Sequence, residues 1–296
     1  MSRGFISAVI QGESVAADEP AWVPWWSYTK TILAAAALTL VARGRLSLDE
    51  RVSGRRFTLR QLLQHRAGLP DYGSLAAYHE AVAAGKTPWP VAELLERVQA
   101  DTLVFEPGQG WAYSNVGYLL VRKLVEEAAG MALDQALREL VFKPLGVADA
   151  KIASVPTDLD MTAWGNASNY HPGWVYHGLL IGTAASAALF LHQLLAGRLL
   201  PAPLLAAMCA PYPVSGPIPD RPWLSAAYGL GLMLGAGAPS GCYVGHTGGG
   251  PGSTAAVYQK ATDSGEVHAR RTVAVFAPLD APGTVERQAM KLARQE

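Results

Sequence analysis

Ser27-Tyr28-Thr29-Lys30-Thr31-Ile32-Leu33-Ala34-Ala35-Ala36-Ala37-Leu38-Thr39-Leu40-Val41-Ala42-Arg43-Gly44 is the stretch whose reading decides this fold. Alanine and leucine are strong helix formers, and here apolar side chains fall on nearly every side of the helix they predict. Such a helix is expected inside a protein, packed on most faces. The apolar run from Thr31 to Ala42 is too short to span a bilayer. Gly44 supplies the stop. Ser27 stands where an N-cap or first-turn residue belongs. Ser27 and Lys30, at i and i+3, share one helix face.

A serine hydroxyl is a poor nucleophile and needs an adjacent base. Lysine serves as that base only if its pKa falls, which burial brings about. The positive end of the helix dipole works in the same direction. Taken alone, the four residues also fit a capping serine and a surface lysine. Against that, no other serine in the chain has a lysine three residues on, and the residues from Thr31 to Ala42 carry no charge.

Outward from this helix the pattern changes on both sides. Residues 5–18, with Phe5, Ile6, Val9, Ile10 and Val15 around Gln11-Gly12-Glu13, read as two strands joined by a turn. Residues 45–225 read as mostly helical, with helices expected at 58–65, 75–84, 90–100, 115–130, 133–142, 183–196 and 201–210. The proline-rich stretch Pro211 to Pro222 reads as a loop. Beyond it, Gly229 to Leu234, Cys242 to His246, Ser253 to Lys260 and Val267 to Pro278 read as strands, with a hairpin turn at Ala261 to Gly265. Thr284 to Gln295 reads as a closing helix. Strands at both ends predict an antiparallel sheet built from the two termini, with a helical region inserted.

Composition narrows the function. Half the residues are apolar, and 24 basic residues balance 24 acidic ones, so nothing draws the chain toward nucleic acid or anionic lipid. Cys209 and Cys242 are expected to be two separate thiols. The N-terminus shows no apolar signal region, so a cytoplasmic location is the default expectation. His171 and His177 lack an acidic or cysteine partner at zinc spacing, so no metal is expected, and no cofactor motif is present. Asp71, Asp158 and Asp160 read as turn residues.

Two further motifs carry chemistry. Tyr113-Ser114-Asn115 follows the turn Pro107-Gly108, with Asn115 expected to start the next helix. Tyrosine near a cation can shuttle a proton, and an asparagine amide can hold a substrate amide. His246-Thr247-Gly248-Gly249-Gly250 ends an expected strand, where glycines permit close approach of a substrate backbone. The N–H groups of Ser27 and Gly249 are candidates for an oxyanion hole. Each motif alone also fits a bland reading, an aromatic turn with a cap or a glycine-rich hairpin.

In order along the chain, S-x-x-K, Y-x-N and H-T-G together resemble the serine β-lactamase and penicillin-binding-protein superfamily. The branch most similar comprises class C β-lactamases, D-alanyl-D-alanine carboxypeptidases and related esterases. Leu62-Leu63-Gln64-His65-Arg66-Ala67-Gly68-Leu69 resembles that family's L-L-x-H-T-S-G-L, with Arg66 and Ala67 departing from it. Phe105 to Tyr118, Pro144-Leu145-Gly146-Val147 and Tyr228-Gly229-Leu230-Gly231 resemble other family segments. Gly178 to Thr183 matches the G-G-x-x-S-T segment only loosely.

The resemblance implies an α+β fold: an antiparallel sheet flanked by helices (1–45 and 225–296), an all-helical region (46–224), and a site in the groove between them. It implies an acyl-enzyme on Ser27, with Lys30 and Tyr113 sharing the proton transfers. Asn115, His246, Thr247 and Gly248 would bind substrate. His246 replaces the lysine common in β-lactamases, and a largely neutral histidine suits carboxypeptidases and esterases better. Trp25 and Trp26 stand where small residues are usual, so Trp26 is expected to shape an apolar acyl pocket unless both rings pack in the core. The expected partner is a small-molecule or short-peptide substrate. The competing reading is a penicillin-binding or sensor-type module that acylates without efficient turnover.

Overall fold

The apolar helix sits at the centre of the molecule. In the computed structural model, which describes residues 4–165, 169–238, 241–261 and 270–294, helix α1 spans Thr29–Ala42 and is buried from Thr29 through Leu40. A helix apolar all round loses hydrophobic free energy wherever a face meets water, so neighbours close over every side. Gly44 follows it at φ +67°, the left-handed conformation of a helix stop. The remaining helices are α2 (Leu59–Leu63), α3 (Ala76–Ala83), α4 (Val91–Arg97), α5 (Asn115–Ala129), α6 (Leu133–Leu137), α7 (Lys143–Leu145), α8 (Thr157–Asp160), α9 (Ala184–Leu195), α10 (Ala202–Cys209) and α11 (Pro282–Leu292). A π-helical turn, Arg138–Phe142, links α6 to α7.

The large sheet joins the two ends of the chain. Its strands are β1 (Ile6–Gln11), β2 (Ser14–Ala17), β6 (Tyr212–Ser215), β7 (Ala226–Tyr228), β8 (Met233–Ala236), β9 (Cys242–Gly250), β10 (Ser253–Lys260) and β11 (Arg271–Ala277). They run antiparallel in the order β2-β1-β11-β10-β9-β8-β7-β6. The register pairs Ile6 with Phe276 and Ala256 with Thr247. One face, through Ala255, Val257, Ala274 and Phe276, joins the core around α1 and α9. The other, through Tyr258, Val273 and Val275, packs on α11.

Three parts of the fold differ from expectation. β3 (Trp22–Pro24), β4 (Ala150–Ala153) and β5 (Leu179–Thr183) form a small sheet in the order β3-β5-β4, and two of its strands lie in the stretch read as helical. A short, wholly buried apolar run such as Leu179–Thr183 reads equally as strand or helix. The stretch Gly229 to Leu234 straddles the turn between β7 and β8; Leu230 and Leu232 are buried there because Gly231, at φ +77°, presses on Ala34 of α1. Finally, β6 rises from the proline-rich stretch read as a loop. As the edge strand it tolerates Pro213, beside an irregularity in its pairing. The expected turn at Ala261 to Gly265 lies, beyond Ala261, outside the described residues.

A buried polar cluster helps bind α11 to the sheet. Glu286 is wholly buried. It accepts from Arg221, from the Trp223 indole at 3.0 Å and from the Thr247 hydroxyl. Glu286→Ala leaves the Arg221 guanidinium without its counter-charge, so we expect stability to fall by about 3 kcal/mol. Urea unfolding monitored by far-UV circular dichroism measures it.

Candidate active site

Ser27 lies in a tight 3-10 turn, Trp26–Tyr28, that runs directly into α1. The turn is clamped from two sides. On one, Trp25 N–H donates to Leu180 of β5 at 2.8 Å, and the Tyr28 hydroxyl donates to the Ala187 carbonyl at 2.9 Å. On the other is β9, where a Cβ on Gly248 would fall 2.7 Å from the Ser27 nitrogen. Trp26 adopts φ +45°, a strained value for a non-glycine residue. It is held by an indole bond to Ser253 at 2.8 Å and by its ring against Gly250. The two tryptophans part company here. Trp25 is wholly buried beside Tyr28 and Phe142, whereas Trp26 walls the groove.

Lys30 is wholly buried. Its Nζ lies 3.1 Å from Ser27 Oγ and 3.2 Å from His177 Nε2. It also stands 4.9 Å from the Tyr113 ring centroid. Burial pulls its pKa from 10.5 down to about 7, opposed in part by the Asp71 carboxylate. The Tyr113 hydroxyl bonds Ser27, and burial raises its pKa, so it stays a phenol at neutral pH. Of Lys30 and Tyr113, only the lysine can take up a proton from Ser27.

The surroundings of Tyr113 and Asn115 fix their positions. His65 packs 4.3 Å from the Tyr113 ring, and its Nδ1 accepts the Ser114 N–H at 3.1 Å. Ser114, not Asn115, caps α5, accepting from Gly117 at 3.0 Å. Asn115 is the first helical residue. Its backbone N–H and side-chain Nδ2 reach Asp71 at 2.8 and 3.3 Å. A carboxylate only accepts, so the amide nitrogen must face it.

On β9 alternate residues face opposite ways. His246 and Gly248 face α1. His246 is wholly buried. Its Nδ1 lies 2.6 Å from the Thr247 carbonyl and must donate, which leaves Nε2 to accept from the Tyr228 hydroxyl at 2.8 Å. Burial pushes its pKa down to about 3, so the ring is neutral. Thr247 points to the α11 face, where its hydroxyl meets Tyr258 at 2.7 Å and Glu286. Its side chain therefore lies across the sheet from Ser27. Gly249 is exposed and lines the groove.

The groove holds a cavity of ≈ 230 Å³, lined by Ser27, Asn115, His177, Gly249, Trp26 and Trp174 among others. The fold thus gathers Ser27, Lys30, Tyr113, Asn115, Gly248, Gly249 and Trp26, with His246 behind them. Asp71, read from sequence as a turn residue, braces Asn115. His177, weighed only for zinc, touches Lys30. The only sequence signal for Asp71 is its place just after the Leu62 to Leu69 segment; for His177 it is an imidazole in an otherwise apolar run. Among the described residues no three His, Cys, Asp or Glu side chains group as a metal site requires, and no helix is long and apolar enough to cross a membrane. Both cysteines are free.

The chain matches the family described as Beta-lactamase over residues 5–295. It is similar to a penicillin-binding protein of Bacillus subtilis, 28% identical over 49% of this chain and 34% of that protein. It is also similar to an esterase of Burkholderia gladioli, 34% identical over 43% of this chain and 38% of that protein. These matches thus span well under half of either relative. In fold it is similar to a D-stereospecific amidohydrolase from Streptomyces sp., with a TM-score of 0.80 at 23% identity, covering 99% of this chain and 94% of that one.

Burying Lys30 has a measurable consequence. Its folded pKa of about 7 lies below the unfolded 10.5. Between those values the unfolded chain binds the extra proton, so this group's contribution to stability rises with pH across the window. We expect Lys30→Met to be more stable than the unaltered protein at pH 7, with the gap narrowing by about pH 9. Denaturant unfolding of both proteins at the two pH values checks this.

Proposed function

Because the chain belongs to the Beta-lactamase family, we propose that it is a serine hydrolase in which Ser27 carries the acyl group of a cleaved amide, peptide or ester. The observation that carries this reading is the buried Lys30 amine 3.1 Å from Ser27 Oγ, with its pKa at about 7. As Oγ bonds the substrate carbonyl carbon, its proton passes to Lys30 Nζ. The oxygen that becomes negative is met by the N–H groups of Ser27 and Gly249. The close packing of Gly248 on the Ser27 amide supports that pairing. The leaving group departs with a proton from the Tyr113 phenol, which Lys30 then restores. Water releases the acyl group by the reverse path. Asn115, with its NH2 on Asp71, has its oxygen left to receive an N–H of the substrate.

The choice among substrates turns on charge. The His246 imidazole is neutral and both its nitrogens are engaged. No lysine or arginine is among the described residues lining the cavity beside Ser27. The cavity wall thus offers a substrate carboxylate no fixed cation. This favours uncharged esters and amides over β-lactams and peptides with a free C-terminus. Trp26, Tyr78, Tyr170 and Trp174 line the same cavity and suit an aromatic or bulky apolar acyl group.

A fluorophosphonate is expected to add its mass to Ser27 and to leave Ser27→Ala unmodified, as peptide mass spectrometry reads. Turnover of p-nitrophenyl esters should fall about tenfold per pH unit below about pH 7, as Lys30 gains its proton. Lys30→Ala should lower it by about 10³-fold. A label on another residue would falsify the nucleophile. A stable adduct with no turnover of any ester or amide would instead mark a binding module.

A further inference from the structure

We infer that His177 is the positioning residue of the Ser27–Lys30 pair: its Nε2 accepts one N–H of the lysine amine and so turns the amine's lone pair toward Ser27. This rests on the acyl-transfer reading above and adds a third member to it.

A neutral amine has one lone pair and two N–H groups, and it rotates about Cε–Nζ among three staggered positions. Only when the lone pair faces Ser27 Oγ can it remove the hydroxyl proton. With an N–H turned to Oγ instead, the pair is hydrogen-bonded the wrong way round. An acceptor fixed elsewhere around Nζ resolves this. His177 Nε2 stands at 3.2 Å from Nζ, in a ring that is 2% exposed. The backbone that presents it turns sharply at Gly178, φ +97°, before entering β5. A base oriented by a third group is the general arrangement for an activated nucleophile.

The tautomer goes with this assignment: a lysine that donates to Nε2 puts the imidazole proton on Nδ1. That nitrogen is buried and has no hydrogen-bond partner among the described residues. An unpaired buried polar group is costly, and in a native structure it calls for an explanation. Packing alone would be served better by an apolar ring. The contact of Nε2 with Lys30 supplies the reason for an imidazole.

The surroundings keep the ring an acceptor. Burial above all acts against a positive imidazole, and so do the groups facing His177: Lys30 from α1, His246 from β9, Arg122 from α5 and His65 from the segment after α2. No carboxylate is among these groups. On the lysine side, Asp71 is the acid that favours the ammonium form. The proton from Ser27 therefore rests on Nζ, while Nε2 accepts before and after the transfer.

The test is the rate at which a fluorophosphonate labels Ser27, followed from about pH 5 to pH 9. In that step Oγ–P forms, P–F breaks, fluoride leaves and the Oγ proton passes to Nζ. The proteins compared are the unaltered chain, His177→Phe and His177→Gln, with thermal unfolding as the check on folding; His177→Leu replaces the phenylalanine variant if that does not fold. His177→Phe should label about 10²-fold more slowly at its plateau. Its pH midpoint should move below that of the unaltered protein, because losing an acceptor disfavours the ammonium. His177→Gln, whose amide oxygen restores an acceptor, should recover most of the rate. KM for a p-nitrophenyl ester should stay within about threefold. Three results overturn the inference while Ser27 is labelled normally in the unaltered protein: His177→Phe labelling at full rate, its midpoint moving up, or folded His177→Gln being as slow as His177→Phe. No label on Ser27 in the unaltered protein overturns the acyl-transfer reading itself, and this inference with it.

Discussion

Putting a lysine inside an apolar helix is the constraint around which this molecule is arranged. In water the Lys30 ammonium would be the stable form; in the core, desolvation brings amine and ammonium into near balance at neutral pH. That balance needs more than one apolar helix. It needs walls on every side, and the sheet, the helical region and the small β3-β5-β4 sheet supply them around α1. The polar groups nearest Lys30 are hydroxyls and neutral imidazoles. Asp71 acts on it through space without an ion pair, so its charge is not locked in place.

The same packing sets Ser27. The strained Trp26 backbone, the indole bond to Ser253 and the close approach of Gly248 and Gly250 press the 3-10 turn against β9. A side chain at Gly248 would strike the Ser27 amide. Strain of this kind persists only where the surrounding structure over-determines it. Here two sheets and a helix meet at the turn. The serine is thus presented by a rigid support, with the oxyanion donors proposed for it on the same backbone contact.

Legibility in the sequence followed the range of the interaction. Ser27 and Lys30 are one helical turn apart, so local spacing showed them. The terminal strands showed because their apolar alternation is local too. Asp71 and His177 reach their partners only through tertiary packing: His177 is 147 residues from Lys30 and Asp71 is 44 from Asn115. No local pattern records either contact. His246 and Thr247 were expected to bind substrate together, yet neighbours on one strand face opposite sides, so both could not enter one groove. The strand β5 was hidden because a short, fully buried run carries no alternation.

The central claim is that Lys30 is a neutral amine for much of the time near neutral pH. Its titration can be followed directly, through the Cε–Nζ resonances of 13C-labelled lysine, with the Lys30 signal assigned by its loss in Lys30→Met. A lysine desolvated by the core should titrate with a midpoint at about 7. A Lys30 signal that titrates only near the ordinary lysine value of 10.5 would contradict it.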